Sequence, residues 1–149
     1  IIKKGDKECL VLIGVLEHLE NPNKILKLFK LSNFRYLFLS LPLFSFSTIL
    51  EHVFQNIYPR QLGGAHTHLY SKESINYFTK KYKFKIIGQW WFGQDFLDLK
   101  RSLINSIKKE TSKNFLNAFQ NLFGSHIDEL QKVLDKKFIS SEVHIILRK

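Results

Sequence analysis

Cys9-Leu10-Val11-Leu12-Ile13-Gly14-Val15 is an unbroken run of apolar residues and glycine, the pattern of a strand buried on both faces in a helix-covered parallel sheet. Asn21-Pro22 then opens a helix: Asn is a good cap, and Pro suits the first turn. Ile25, Leu26, Leu28, Phe29 and Leu31 fall on one face of that helix, Lys24, Lys27 and Lys30 on the other, and Asn33 ends it. Tyr36–Leu41 is a second buried strand, stopped by Pro42, so the opening reads strand, helix, strand.

Residues Leu43–Tyr70 lose this regularity. Ser47–Gln55 fits a short helix, and Pro59, Gly63-Gly64, His66 and His68 fit an ordered loop, a length that usually carries function. Ser71 caps a helix with Ile75 and Phe78 inward and Lys80 and Lys81 near its end. Phe84–Trp91 is a third strand. Asp95 is placed as the cap of a helix from Phe96 to about Lys109, and further helices follow around Asn114–Leu122 and Ile127–Lys137, separated by Gly124. Glu142–Leu147 is a last strand. The pattern predicts one α/β domain over residues 1–149, with a helical insertion at about 95–137. The most apolar strand, Cys9–Val15, is expected at the centre of a sheet, yet only eight residues precede it. That, the Ile1-Ile2 start and the absence of Met predict an incomplete domain.

Composition changes little. A hydrophobic fraction of 44% supports a real core. The net charge of +10 invites a nucleic-acid reading, but only four of the 23 basic residues are Arg (Arg35, Arg60, Arg101 and Arg148), and the lysines are scattered. The charge is read as solvated helix faces, with no specific nucleic-acid partner. Cys9 is the only cysteine, which excludes an intrachain disulfide and a cysteine-based zinc site, and it is expected to be buried. No apolar stretch reaches membrane-spanning length and no signal peptide is evident, which points to a cytoplasmic protein.

Val11-Leu12-Ile13-Gly14-Val15-Leu16-Glu17-His18-Leu19 with Asn21-Pro22 resembles the fourth-strand motif of small-molecule class I S-adenosylmethionine-dependent methyltransferases. Later segments follow the same order. Leu37–Pro42 resembles the fifth strand, and His66–Ile75 the loop and capped helix before the sixth. Phe84–Ile87 resembles the sixth strand, with Lys83 where a Gly is usual, and Glu142–Leu147 the antiparallel final strand. The resemblance covers nearly the whole chain. It implies a Rossmann-like three-layer sandwich lacking its N-terminal strands and Gly-rich turn, and methyl transfer from S-adenosylmethionine to a small-molecule or sugar-like acceptor. A non-catalytic, partner-binding remnant of the same fold is the alternative.

By that resemblance Gly14, Val15, Leu16 and Glu17 lie against the methionine part of the cofactor, and His18 sits at the mouth of the site. The placement agrees with ligand binding at the carboxyl ends of strands in open α/β sheets. His18, His66 and His68 are the candidates to take up a proton from a hydroxyl or amine acceptor. Glu17 can equally hold the strand-to-helix turn. His66-x-His68 has metal-ligand spacing, but with no cysteine and no third ligand evident, no metal is assigned. Tyr70, Trp91 and Asp95 are placed with the substrate. Trp90-Trp91-Phe92 is either an aromatic wall or, the preferred reading, a strand end with one Trp buried and one on the rim. None of the seven glycines makes a Gly-x-Gly turn after a strand, so this chain alone is expected to bind the cofactor weakly or not at all.

Overall fold

The computed structural model describes residues 8–54, 59–63, 66–107 and 112–149. Strand β1 is Cys9–Ile13, and a one-turn 3-10 helix follows at Leu16–His18. Helix α1 (Pro22–Leu31) leads to β2 (Tyr36–Pro42), then α2 (Phe46–Val53) and α3 (Lys72–Tyr82) to β3 (Lys85–Phe92). Helices α4 (Asp95–Ser106), α5 (Lys113–Gly124) and α6 (Ile127–Lys137) precede β4 (Glu142–Arg148). Gln55, Gly64 and Lys109, which bear on the expected ends of two helices and on the Gly-Gly loop, lie outside the described residues.

The fold is mixed α/β around one sheet of order β1-β2-β4-β3. β1 pairs parallel with β2, from Cys9 opposite Tyr36 to Ile13 opposite Ser40. β4 runs antiparallel to both β2 and β3 and lies between them. The expected antiparallel final strand is therefore present, inserted inside the sheet.

The two inner strands carry the core. Leu37, Leu39 and Leu41 of β2 alternate inward with Val143, Ile145 and Leu147 of β4, none more than 1% exposed. Leu26 and Phe29 from α1 and Ile75 and Phe78 from α3 pack on that face. Phe29 meets Phe84 edge-on at 5.3 Å, and burying such a ring contributes about 2–3 kcal/mol.

The caps at Asn21 and Ser71 are as expected. The Lys24 amide donates to Asn21 Oδ1 at 3.2 Å, and the Ser74 amide donates to Ser71 Oγ at 3.2 Å. Lys83, standing where the resemblance expects glycine, ends α3 in the left-handed region at φ 57°. Among the described residues, no helix is long and apolar enough to cross a membrane.

Three expectations need correction. β1 is an edge strand, paired with β2 alone among the described residues, and it alternates exposed and half-buried positions instead of being buried on both faces. Cys9 is exposed rather than buried, because it lies on the uncovered side of that strand. Asp95 occupies the first position of α4, not its cap, which is Gln94.

Candidate functional site

β1 and β2 run parallel, so their carboxyl ends open at the same edge of the sheet. Just past β1, Gly14 takes a left-handed conformation (φ 62°), strained for any residue with a Cβ. The turn folds the chain at once into the 3-10 helix. Leu16 plugs into the core at 1% exposure, and Glu17 is buried at 4%. His18, next along, faces solvent.

The irregular segment is stitched onto this turn through its backbone. The amides of Thr67 and His68 donate to the Glu17 carbonyl at 2.8 and 3.2 Å. The Thr67 hydroxyl donates to the same carbonyl at 2.8 Å. Tyr70, buried beneath, donates its hydroxyl to the Leu16 carbonyl at 3.3 Å. Burial, and secondarily the charge of Glu17, push the Tyr70 phenol well above its ordinary range.

These bonds bring His66 next to the motif. Its ring centroid lies 4.9 Å from that of His18. His66 Nδ1 is 3.0 Å from the Gln61 carbonyl, and since a carbonyl only accepts, Nδ1 carries a proton, so in the neutral ring the lone pair is on Nε2. His68 turns elsewhere, with Nδ1 2.8 Å from the Thr67 hydroxyl and its ring stacked on Tyr70. The two histidines of the His-x-His pair therefore have different neighbours.

Gly14, Glu17, Ser40, Gln61, His66 and Glu142 face a cavity of about 350 Å³. Arg60 closes one side, donating to Glu142 at 2.7 Å and to Asp98 at 2.9 Å. These bonds and the two nearby carboxylates outweigh burial and raise its already high pKa further, keeping it a cation tied to two anions. Gln61 is held as well: its amide donates to the Glu51 carboxylate at 2.8 Å, and its side chain donates to the Ser141 carbonyl at 3.4 Å.

Of the residues expected in a site, the fold gathers Gly14, Glu17, His18 and His66, with Val15 half-buried alongside. Leu16 meets the site only through its backbone. Trp91 is 7% exposed and packs edge-on against Phe138 at 5.3 Å, by a separate cleft, while Trp90 stands 64% exposed on the rim. Asp95 is wholly buried. Its carboxylate accepts from the amides of Ser47 and Ser141, each at 3.0 Å, and from the Gln131 side chain at 3.1 Å. Arg60, Gln61 and Glu142 carried no sequence signal: they come from an irregular segment and a strand start, joined only by tertiary contact.

No protein-family model matches the chain, and no curated protein matches it. Among solved structures the chain is similar to the small RNA methyltransferase HEN1, with a TM-score of 0.48 and 16% identity, over 97% of this chain and 14% of that one. It is also similar to a SAM-dependent methyltransferase from Archaeoglobus fulgidus, with a TM-score of 0.47 and 15% identity, over 95% of this chain and 59% of that one. The chain thus spans less than two thirds of the length of either.

Proposed function

We propose that this chain forms the acceptor side of an S-adenosylmethionine-dependent methyltransferase site acting on a small-molecule or sugar-like acceptor. The observation that carries the reading is the placement of Gly14–His18 at the carboxyl end of β1, with Gly14 and Glu17 lining a cavity whose other wall is His66.

The residues present fit the methionine end of such a cofactor. A Cβ on Gly14 would meet nothing nearer than Glu17 Oε1 at 3.8 Å, so this turn leaves its backbone open to a ligand. Among the described residues they do not extend to a Gly-rich turn or a ribose-binding acid. S-adenosylmethionine, when bound, supplies an electrophilic methyl group, and the protein's task is to orient the acceptor in line and remove its proton. His66 suits the second task, because the Gln61 carbonyl fixes its tautomer and leaves Nε2 as the base. His18 stands beside it as the alternative base, and the backbone amides of Thr67 and His68 hold the segment in place.

The reading is tested by NMR titration of the labelled chain with S-adenosylmethionine. Shifts centred on Gly14–His18, with an affinity weaker than micromolar, are expected. Micromolar affinity would overturn the incomplete cofactor site. Absence of any perturbation at Gly14–His18 in millimolar ligand would overturn the methyltransferase reading. Where methyl transfer is measured, His66→Asn is expected to lower it about 10²–10⁴-fold, the usual contribution of a positioned base. Unchanged turnover in both His66→Asn and His18→Asn would remove them from the mechanism.

A second reading, a partner-binding remnant of the same fold, is favoured by one observation. Val11, Ile13, Ile146 and Trp90 lie exposed along the sheet. It predicts silence in the same titration.

A further inference from the structure

Glu17, His18 and His66 each offer one ligand atom, and these atoms all lie within 4.8 Å of one another. Glu17 is 4% exposed, and its Oε2 is buried with no hydrogen-bond partner among the described residues. A buried carboxylate oxygen without a partner is costly, and native proteins rarely leave one. The one cation lining the same cavity among the described residues is already committed: Arg60 is bound to Asp98 and Glu142 at 2.9 and 2.7 Å. The fold therefore gathers two imidazoles and a buried anion while directing its nearby positive charge elsewhere.

We infer that Glu17, His18 and His66 form a binding site for a divalent first-row transition ion, Zn²⁺ or Co²⁺ by chemical class. Two nitrogen donors with one carboxylate, and no thiolate, suit such an ion better than Mg²⁺ or Ca²⁺, which prefer all-oxygen shells. Around an ion with bonds of about 2.1 Å, ligand atoms sit roughly 3–3.5 Å apart, so modest side-chain rotation closes the set. The Gln61 carbonyl acts on His66 as outer-shell partners do in metal sites, binding one ring nitrogen and presenting the other. Three protein ligands leave coordination positions open toward the cavity, where water or a substrate oxygen would bind. The set differs from the His66-x-His68 pair that spacing alone suggests, because His68 faces Thr67 and Tyr70.

The inference does not rest on the methyltransferase reading: with an ion bound, His66 Nε2 is a ligand and no longer a base, and the test needs no S-adenosylmethionine. Apo chain is titrated with Co²⁺, following the visible d–d absorption, with Zn²⁺ as competitor and the thermal midpoint as a second readout. One ion per chain is expected, with a rise in the wild-type midpoint on loading. Glu17→Gln and His66→Ala should each bind at least tenfold more weakly and lose that rise, while His68→Ala binds like wild type. Far-ultraviolet circular dichroism of each variant separates lost ligation from lost folding. No Co²⁺ or Zn²⁺ binding up to millimolar concentration overturns the site, as does affinity unchanged in folded Glu17→Gln and His66→Ala chains. Equal weakening by His68→Ala would also overturn it, since the ligands would then be the spacing pair.

Discussion

Asp95 is the clearest case of a side chain whose surroundings decide its role. Wholly buried, it gives its oxygens to the amides of Ser47 and Ser141 and to Gln131, tying α2, α6 and the entry to β4 onto α4. Asp95→Ala strands two buried amides and is expected to cost about 3 kcal/mol, read as a lower urea midpoint. A change below about 0.5 kcal/mol would mean that water replaces the carboxylate. Gly93 beside it is packed as tightly, for a Cβ there would sit 2.5 Å from both Asp95 Oδ2 and Ser141 Oγ. Tyr70 sets a pH limit at the same scale. Burial and Glu17 raise its folded pKa above its unfolded value. The stability it contributes is therefore complete below about pH 10 and lost as pH climbs beyond that, where the unfolded phenol ionises first. The unfolding midpoint should fall as pH rises above about 10, and fall less in Tyr70→Phe. Equal falls would assign the effect to other groups.

Helix α3 ends on Lys83 in the left-handed region, a conformation that glycine adopts without a Cβ penalty. Lys83→Gly should stabilise the protein by about 0.5–1 kcal/mol after the added entropy of glycine in the unfolded chain, a rise of roughly 2–3 °C in thermal midpoint. A fall would mean that the lysine side chain contributes more than its backbone strain costs. Phe138, left-handed at φ 60° after α6, is a different case. Its ring meets Trp91 and the Lys72 ammonium, the latter 4.2 Å from the centroid, so glycine there would remove packing as well as strain. The element patterns were legible because each depends on neighbours a few residues away. Asn21 and Ser71 announce their helices, and Tyr36–Leu41 and Glu142–Leu147 announce strands. The role of Asp95 as a tie between elements was not legible, since its partners lie 36 to 48 residues away.

For the whole molecule, the sheet edge matters most. β1 leaves one row of backbone groups without a strand partner among the described residues, and Val11 and Ile13 are 54% and 63% exposed. Such an edge templates further strand pairing. Concentration-dependent association is expected in sedimentation velocity at micromolar chain, and Val11→Lys with Ile13→Lys should abolish it at unchanged secondary structure. A wild-type chain that stays monomeric across the range would contradict this.

What the sequence determined by itself was local: strand and helix periodicity, caps, and the Gly14–His18 segment as a strand-to-helix junction. These follow from dihedral preference and from the two repeat lengths of regular backbone. Tertiary structure alone decided three other things. Among the described residues it put β1 at an edge, because neighbours, not the apolarity of a run, determine whether a strand is flanked. It separated His66 from His68, because the Thr67 and His68 amides bind the Glu17 carbonyl and turn one ring to Glu17 and His18, the other to Tyr70. And it enclosed the cavity with Arg60, Gln61 and Glu142, whose side chains have no common spacing in the chain and meet only because β4 inserts beside β2.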